Sequence, residues 1–457
     1  MTVAPQIFRE YDIRGLVGSE LDADTARDVG RAFAVYLDSV NLHGPIAVGR
    51  DNRPSGDALR DALVAALTES GVDVVDVGVV PTPTLYWALE RLGVAGGVQI
   101  TASHNPAPYN GFKLCVGTNA LYGDDIQKLL VIVEQGRRLT PSKPGSVRSE
   151  AILDPYLDDI VAHIGPLARP LSIALDCANG VGSLVGPKLM ERLGVRVTQC
   201  ILCTSDGNFP KRQPDPSQAK NLVDLQNAVR ATSAQVGIAV DGDADRIGVI
   251  DEHGEIVWGD RVLAIYARDV LSRNPGKPII FDVKCSEALP QAITAAGGKP
   301  FMWRTGHSLI EAKMHEVHAP LAGELSGHMY IADGWYGFDD ALYSAARFLS
   351  IMASTGKTVT QLLDGIPVYP STDEIRVDCP DDKKFDIVNR AIAHWRANHT
   401  VVDVDGARVL FDGGWGLIRA SNTQPAIVCR FEAHTQDRLN EITSEMEGWL
   451  RQQGVTI

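Results

Sequence analysis

The chain has 457 residues, of which 45% are hydrophobic and 22% are charged, and its formal net charge at pH 7 is −14. A chain of this length ordinarily divides into several domains, and its composition excludes a disordered or fibrous protein. The acidic balance and the absence of a basic stripe argue against a nucleic-acid partner. No apolar run approaches the length of a membrane span, so we expect no membrane partner.

The cysteines predict the redox compartment. There are seven, an odd number scattered along a long chain, which favours reduced thiols. Residues 1–6 lack the apolar core of a signal peptide, so we expect a cytoplasmic protein. Cys200 and Cys203 form a C-x-x-C pair, but no second pair follows at zinc spacing, and we interpret them as packing residues.

Three stretches of the chain repeat one pattern, in which a buried strand that ends in aspartate is followed by a helix, a glycine and a second strand. The first strands comprise residues 45–51, 171–176 and 278–282. The helices are predicted at residues 58–70, 185–193 and 287–296. Each unit then reaches a polar loop. The repeat predicts an α/β fold with three similar mixed-sheet domains, each offering one loop to a central cleft.

The last segment differs from the three repeats and predicts a smaller C-terminal α+β domain. Short strands are predicted around residues 374–377, 408–411, 417–419 and 427–431. An amphipathic helix closes the chain from residue 435 to about 452. We place the four domains at residues 1–148, 149–255, 256–367 and 368–457, because helices end or polar and glycine residues gather at these boundaries.

The loop after the first unit has the sequence Thr101-Ala102-Ser103-His104-Asn105-Pro106. A strand is predicted immediately before it, and its prolines prevent an immediate helix after it. We therefore expect Ser103 at the exposed carboxyl end of a strand, where open α/β sheets bind ligands. Its small and polar neighbours leave the hydroxyl accessible, so Ser103 is a candidate phosphoryl carrier. The alternative is a turn serine that bonds its own backbone.

The loop of the second unit carries Asp241, Asp243 and Asp245, followed by Arg246, between two apolar strands. Three carboxylates this close repel one another unless a cation joins them, and oxygen-only ligands favour a hard ion such as magnesium. An EF-hand is excluded because its sixth position would be Arg246 rather than glycine and because both flanks are strand-like. An arginine beside such a cluster suits phosphate recognition. Aspartates that only make turns or cap a helix are the alternative.

The loop of the third unit contains Glu324, Ser326 and His328. Their carboxylate, hydroxyl and imidazole can bind neighbouring hydroxyl groups of a sugar. A surface ion pair, a plain turn and a core histidine are the alternatives for these three residues.

A fourth loop lies between two predicted strands of the last segment. Its Arg419 is followed by Ser421, Asn422 and Thr423, which together can surround a phosphate with charge-assisted and neutral donors. In isolation, an ordinary hairpin loop is the alternative.

In order and spacing, the four loops resemble those of the α-D-phosphohexomutase family, and most closely its bacterial phosphomannomutase/phosphoglucomutase branch. The resemblance spans nearly the whole chain. It is also carried by residues 8–15, 49–53, 109–113, 304–308 and 337–340. It implies an isomerase that interconverts hexose 1-phosphate and hexose 6-phosphate, with mannose or glucose as the sugar, through a phosphoserine enzyme and a 1,6-bisphosphate intermediate.

The resemblance also implies a role for each site residue. Magnesium would be bound by Ser103, Asp241, Asp243 and Asp245, and glucose or mannose 1,6-bisphosphate would serve as activator and intermediate. The catalytic residues would be Ser103, Lys113, Arg14, Arg246, His307 and His328. The substrate would be bound by Tyr11, Lys284, Arg304, Gly306, Glu324, Ser326, Arg419, Ser421, Asn422 and Thr423.

Lys113 would act as an acid or base if burial and neighbouring cations lower its pKa, and otherwise as a counter-ion to phosphate. Because the net charge is negative, phosphate affinity must come from basic groups concentrated locally. For His307 and His328, proton transfer or hydroxyl binding and structural orientation are both open.

The chain departs from the family pattern at three positions. Arg212 and Gln213 stand where close relatives tend to carry histidines, and Arg304 replaces a lysine. Leu325 occupies a place where glucosamine mutases usually carry glutamine, which favours mannose and glucose phosphates. Alternatives are a phosphoglucosamine mutase or a magnesium-dependent sugar phosphatase, whereas the lack of a P-loop argues against a kinase. We expect a monomer or a weak homo-oligomer with hexose phosphates as partners.

Overall fold

The computed structural model describes residues 3–422 and 424–457, which form four sheets with helices packed on them. The first sheet has seven strands: β1 Ile13–Leu16, β2 Ile46–Arg50, β3 Val74–Val79, β4 Gly96–Ile100, β5 Tyr109–Val116, β6 Asn119–Ala120 and β7 Val147–Ser149. Its helices are α1 Ala23–Ser39, α2 Gly56–Glu69, α3 Thr82–Arg91 and α4 Asp124–Glu134.

The second and third sheets have five and four strands. The second contains β8 Ser172–Asp176, β9 Arg196–Ile201, β10 Val236–Val240, β11 Ile247–Ile250 and β12 Ile256–Val257, with helices α5 Leu153–Ile164, α6 Gly182–Arg192 and α7 Val223–Thr232. The third contains β13 Pro278–Asp282, β14 Lys299–Trp303, β15 Leu321–Gly323 and β16 Met329–Ile331. The helices of this part are α8 Gly259–Arg273, α9 Ala288–Ala295, α10 His307–Val317, α11 Ala341–Thr355 and α12 Val359–Leu362.

The first three sheets share one topology. In each, three parallel strands are followed by an antiparallel strand: β3-β2-β4 and then β5, β9-β8-β10 and then β11, and β14-β13-β15 and then β16. The turn into the antiparallel strand carries Ser103 in the first sheet, the three aspartates in the second and Glu324 in the third. The repeat therefore places all three polar loops at equivalent positions.

The fourth sheet is antiparallel throughout, in the order β17-β21-β20-β19-β18. Its elements are β17 Ile375–Asp378, α13 Asp381–Arg396, β18 Thr400–Val402, β19 Ala407–Phe411, β20 Gly414–Ala420, β21 Ala426–Ala433 and α14 Gln436–Gln452. The predicted fold class, three similar α/β domains with a smaller C-terminal α+β domain around a central cleft, is confirmed.

Hydrophobic packing connects the first three sheets to one another more closely than it connects them to the fourth sheet. One buried cluster runs through the first three and includes Trp87, Tyr156 and Phe348. The helix α11 lies in this cluster and packs against strands of both the second and the third sheet. The fourth sheet has its own core around Trp395 and Phe431. The C-terminal domain therefore folds around a separate core and meets the cleft through its loops.

Two predicted domain boundaries cut short edge strands. The strand β7 spans the boundary at residue 148, and β12 pairs with the second sheet although it lies beyond residue 255. We propose domain limits that follow the sheets, with the first junction after β7 and the second after β12. None of the described helices is both long and apolar enough to span a membrane.

Cys200 and Cys203 are joined by a disulfide, with their Cα atoms 5.9 Å apart. The interpretation of these residues as reduced packing residues is therefore wrong. Cys200 lies on the edge strand β9, and the backbone turns at Leu202, where φ is +48°, so that the next cysteine comes back toward it. The other five cysteines are buried free thiols.

Candidate active site

The four loops surround a cavity of about 270 Å³. Most of the predicted site residues contribute to its wall: Tyr11, Arg14, Arg246, Lys284, Gly306, His307, Glu324, Ser326, His328, Arg419, Ser421 and Asn422. Segments separated by up to four hundred positions in the sequence thus meet at one cleft. Its size is near the lower end of the range for small-molecule sites, which suits a compact polar ligand.

Ser103 follows β4 in a left-handed conformation, with φ of +48°. Its Oγ donates a hydrogen bond to Asp241 Oδ2 at 3.0 Å and lies 3.1 Å from Nδ1 of His104. The side chain is only 2% exposed, so the expectation of an exposed, accessible hydroxyl is wrong. The aspartate loop of the second domain covers Ser103, and its neighbours His104 and Asn105 line the cavity instead.

Arg53, which the sequence analysis did not single out, organises the serine loop. Its buried guanidinium donates to the backbone carbonyls of Ser103 and Asn105 at 2.9 and 2.7 Å. It is held by Asp51, whose Oδ2 also accepts from Thr101 Oγ1 at 2.7 Å. The signal that could have found it was a charged Asp-Asn-Arg run at the end of a buried strand. Arg53 fixes the backbone of the loop, so that Ser103 Oγ has a defined position.

The carboxylates of Asp241, Asp243 and Asp245 lie together, and all three residues are fully buried. Within the described chain, no hydrogen-bond partner is found for Oδ1 of Asp243 or Oδ1 of Asp245. Buried carboxylate oxygens without donors are costly, and a hard divalent cation would satisfy them. The residues present therefore fit a metal site.

Gly242 permits the aspartate loop to approach the serine loop. A Cβ atom at this position would lie 2.4 Å from the carbonyl oxygen of Ser103, which is closer than carbon and oxygen can approach. The loop is anchored further by Thr82, whose backbone N–H and Oγ1 donate to the carbonyl and Oδ2 of Asp243 at 2.9 and 2.6 Å.

Burial raises the pKa of Asp241 well above its usual value, and the nearby carboxylates of Asp245 and Asp243 raise it further. Burial acts in the same direction on Asp245, but Lys113, His328 and Arg246 outweigh it and lower its pKa. Asp241 and Asp245 are thus held in unlike electrostatic environments within one loop.

Lys113 lies on β5 with its Nζ 2.9 Å from Asp243 Oδ2 and 2.5 Å from Asp245 Oδ2. Burial alone would lower the pKa of Lys113, but these two carboxylates outweigh burial and raise it. The condition under which Lys113 would act as an acid or base, a pKa lowered by burial and neighbouring cations, is therefore not met, because anions surround the ammonium group. Lys113 is therefore charged at neutral pH, which favours the counter-ion alternative.

Arg246 and His328 connect the second and third domains. Arg246 Nε donates to His328 Nε2 at 2.9 Å, and the backbones of the two residues form an isolated antiparallel bridge. His328 Nδ1 lies 2.7 Å from Oδ2 of Asp339, a buried residue that the sequence analysis gave no role. Burial lowers the pKa of His328, so the ring is neutral and its Nε2 serves Arg246 as an acceptor.

His307 and His104 are also neutral, because burial lowers the pKa of both well below the usual value. The ring of His307 stacks on that of His328, with the centroids 6.0 Å apart. Its Nε2 is buried and has no hydrogen-bond partner among the described residues. His104, which is absent from the predicted catalytic set, is the imidazole nearest to Ser103.

Glu324 is buried at the carboxyl end of β15 and lines the cavity. Its Oε1 accepts from Tyr330 at 3.1 Å and its Oε2 accepts from Ser326 Oγ at 3.4 Å. Burial raises the pKa of Glu324, with His328 and Lys284 acting in the opposite sense. The carboxylate is held in place by protein donors on the cavity wall.

Arg419 lies near the end of β20, and Ser421 and Asn422 lie in the loop that follows. All three line the cavity. Lys384, a buried residue of α13 that the sequence analysis missed, donates to the carbonyl oxygen of Ser421 at 2.6 Å. Asn422 Nδ2 donates to Tyr11 Oη at 2.5 Å, so the loop reaches the first domain. Thr423, the last predicted member of this loop, lies outside the described residues.

Comparison with known proteins agrees with this arrangement. Matches to the phosphoglucomutase/phosphomannomutase alpha/beta/alpha domains I, II and III and C-terminal domain cover residues 5–138, 154–254, 258–369 and 374–448. A phosphomannomutase/phosphoglucomutase of Pseudomonas putida is 46% identical over 95% of this chain and 93% of its own. One from Pseudomonas aeruginosa is 44% identical, covering 98% and 96% of the two chains.

A solved phosphoglucomutase/phosphomannomutase family protein from Burkholderia thailandensis is 41% identical and superposes with a TM-score of 0.90, covering 98% of both chains. The chain belongs to the phosphoglucomutase/phosphomannomutase family. This family assignment confirms the resemblance inferred from the four loops.

The residues that depart from the family pattern have defined contacts. Arg212 forms an ion pair with Asp176, and Gln213 Nε2 donates to the carbonyl of His104 at 2.9 Å. Arg304 pairs with Glu10 at 3.6 Å and is 40% exposed in its side chain, and it is not among the residues lining the cavity. Arg14, in contrast, lies on the cavity wall and donates to Asn105 Oδ1 at 2.6 Å.

Lys284 lies just after β13 and lines the cavity, where it pairs with Glu374. No sequence signal indicated Glu374. Glu374 Oε2 lies 3.2 Å from Lys284 Nζ. Burial opposes ionisation of Glu374, but Lys284 and Arg376 outweigh burial and lower its pKa to about 2 from the usual 4.5. Because the pKa is lowered by folding, this carboxylate stabilises the protein above pH 4.5, and that stabilisation is lost as the pH falls toward 2.

We expect Glu374→Gln to lower the free energy of unfolding at pH 7 by about 1–3 kcal/mol, because it removes the nearer of two carboxylates, at 3.2 against 3.6 Å, from the buried ammonium of Lys284. The difference from wild type should shrink as the pH falls below the ordinary carboxyl pKa. Urea unfolding at neutral and acidic pH, with Asp373→Asn as the neighbouring control, measures it. A difference that does not change with pH would contradict the ion-pair assignment.

Proposed function

We propose that the protein interconverts hexose 1-phosphate and hexose 6-phosphate by way of a phosphoserine at Ser103 and a hexose 1,6-bisphosphate. The observation that carries the proposal is the contact of Ser103 Oγ with Asp241, at 3.0 Å, next to His104 and Asn105, which line the same cavity as Arg419. The first contact supports a phosphoryl carrier beside a metal site. The position of Arg419 on the cavity wall supports the binding of a phosphate at the other end of the same ligand.

Asp241, Asp243 and Asp245, together with Ser103 Oγ, would hold Mg²⁺, which when bound offsets the negative charge of the phosphoserine and makes the phosphoryl group transferable. Lys113, which is positively charged and hydrogen-bonded to Asp243 and Asp245, adds a fixed protein cation at the same place. The proton of the Ser103 hydroxyl has two acceptors within reach, Asp241 Oδ2 and His104 Nδ1.

In the forward direction, the 6-hydroxyl oxygen of hexose 1-phosphate forms a bond to the phosphorus of phosphoserine, and the bond from phosphorus to Ser103 Oγ breaks. The proton that the 6-hydroxyl loses passes by way of Asp241 Oδ2 or His104 Nδ1 to Ser103 Oγ. The product is the 1,6-bisphosphate and a free serine. The bisphosphate then turns end for end and returns its original phosphate to Ser103, which leaves hexose 6-phosphate. Because either end must fit, Arg419, Ser421 and Asn422 bind whichever phosphate is not reacting, while Glu324 and Ser326 bind sugar hydroxyls.

For the sugar, we propose mannose and glucose rather than glucosamine phosphates. Leu325 lines the cavity next to Glu324 and offers no amide to an amino sugar. Assays of purified protein on mannose, glucose and glucosamine 1-phosphates, with the matching bisphosphate present, test this choice. A higher kcat/KM for glucosamine 1-phosphate would overturn it. We further propose a monomer as the working form, because one chain supplies all of the named residues.

The proposed binding of a phosphate by Arg419 predicts that Arg419→Ala weakens the binding of hexose 1-phosphate. An arginine bonds a phosphate through two parallel donors, so its loss should cost about 1.5–3 kcal/mol, or roughly ten- to hundredfold in affinity. KM for hexose 1-phosphate should rise by that factor, while Ser103 still carries phosphate. Steady-state kinetics and isothermal titration measure this.

Arg396→Ala is the control for Arg419→Ala, because Arg396 belongs to the same domain but pairs with Asp403 at the exposed surface. It should leave KM unchanged. A KM of wild-type size in Arg419→Ala would refute the assignment of this loop to the distant phosphate.

A further inference from the structure

The guanidinium group of Arg419 is held by a residue that the proposed reaction has not used. Oδ2 of Asp405 accepts from Arg419 Nε at 3.1 Å and lies 3.0 Å from Arg419 Nη2. Both side chains are largely buried, at 7% and 10% exposure. A contact that uses Nε and Nη2 occupies one donor edge of the guanidinium and fixes the rotation of its plane.

Asp405 also connects the C-terminal domain to the third domain. The same Oδ2 accepts from the backbone N–H of Thr305 at 3.0 Å, and the carbonyl oxygen of Thr305 accepts from Tyr11 Oη at 2.6 Å. Tyr11 in turn accepts from Asn422 of the phosphate loop. The backbone of Thr305, beside the cavity, is thus bound by the first domain through its C=O group and by the fourth domain through its N–H group.

The local sequence permits this close contact. Asp405 and Gly406 form the turn between β18 and β19, and Gly406 has φ of +98°. A Cβ atom at Gly406 would lie 2.6 Å from Arg419 Cβ and 2.6 Å from the carbonyl oxygen of Ile418. Glycine therefore allows the turn to lie directly against β20, where the Asp405 carboxylate reaches the guanidinium of Arg419.

We propose that Asp405 is a positioning residue for phosphate recognition. It holds the Nε–Nη2 edge of Arg419, so that the Nη1–Nη2 edge is the one a phosphate contacts, and it joins the phosphate loop to the Thr305 peptide of the sugar-binding wall. This inference rests on the proposed phosphate-binding role of Arg419. Binding of the phosphate and docking of the C-terminal domain against the third domain are then coupled through a single carboxylate.

Two possible roles of the Asp405 carboxylate predict opposite effects of its removal on the binding of an anion. If the carboxylate only offset the charge of Arg419, its removal would free that charge and tighten the binding of an anion. If it orients the guanidinium, its removal leaves a mobile side chain, and binding weakens because ordering it again costs entropy. The proposal requires the second outcome.

The test compares Asp405→Asn, Asp405→Glu and Arg419→Ala in the full-length protein. In Asp405→Asn, KM for hexose 1-phosphate should rise about tenfold while kcat stays within about threefold. Asp405→Glu keeps the charge but shifts the carboxylate, so it should raise KM as well. Asp403→Asn, two residues earlier and paired with the exposed Arg396, should match wild type.

The double variant Asp405→Asn with Arg419→Ala separates positioning from a general structural role. If Asp405 acts through Arg419, adding Asp405→Asn to Arg419→Ala should raise KM no further, whereas independent effects would multiply. The inference would be overturned if the effects of the two substitutions on KM multiply in the double variant. It would also be overturned by a wild-type or lower KM in Asp405→Asn, or by a wild-type KM in Asp405→Glu. If Arg419→Ala itself leaves KM unchanged, the phosphate assignment fails instead, and the two failures remain distinct.

Discussion

Replacing Ser103 by alanine is expected to lower kcat for hexose phosphates by at least about a thousandfold, because it removes the oxygen that accepts and returns the phosphoryl group. The fold should survive the change. The side chain is small, and the loop is held through backbone carbonyls by Arg53 rather than through the serine hydroxyl. Circular dichroism and thermal unfolding should therefore match wild type while steady-state turnover is lost.

Ser217→Ala is the matched control for Ser103→Ala. Ser217 also lies on the cavity wall, but its hydroxyl donates to Asp215 at 2.6 Å and has no place in the proposed transfer. Its turnover should stay within about threefold of wild type. Substantial mutase activity in Ser103→Ala would show that another group carries the phosphate.

Asp241→Asn is expected to lower kcat by about 10²–10³-fold, with a much smaller effect on KM, because a cation supplies several kcal/mol of charge stabilisation to the transferring group. In the proposed reaction the non-reacting phosphate would be bound by Arg419, Ser421 and Asn422, so ground-state binding should persist. The variant should also need a higher Mg²⁺ concentration for half-maximal activity. A Mg²⁺ titration of turnover measures both effects.

The control for this substitution is Asp251→Asn, in the turn between β11 and β12. Its carboxylate accepts from backbone N–H groups of His253 and Glu255 and lies outside the cavity. It should leave the Mg²⁺ requirement unchanged. Full activity of the wild-type protein after exhaustive chelation would contradict the metal assignment.

Local patterns predicted the repeated part of the fold closely. The helices predicted at residues 58–70, 185–193 and 287–296 are observed at Gly56–Glu69, Gly182–Arg192 and Ala288–Ala295. Hydrophobic periodicity and the glycine after each helix are local signals, so neighbouring residues suffice to place these elements. Neighbouring residues also suffice to place the aspartate loop, because its charged residues lie between two apolar strands.

The missed elements and residues depend on distant contacts. The sequence analysis gave no helix at Asp381–Arg396, where only five of sixteen residues are buried and the apolar stripe is weak. Arg53, Lys384 and Asp405 each bind groups from other segments, and the sequence near them does not show which carbonyl or guanidinium will arrive. The choice between the two roles of Lys113 stayed open for the same reason, because Asp243 and Asp245 approach it from another domain.

Transfer of a labelled phosphoryl group from the bisphosphate to the protein tests most directly whether Ser103 carries the phosphate. Hexose 1,6-bisphosphate labelled in both phosphates is incubated with the dephosphorylated protein, and the protein is then separated, digested and mapped by mass spectrometry. We expect one labelled phosphate per chain on Ser103, which passes to hexose monophosphate when unlabelled substrate is added. Stoichiometric label on another residue, or release of the Ser103 label only as inorganic phosphate in the presence of substrate, would contradict it.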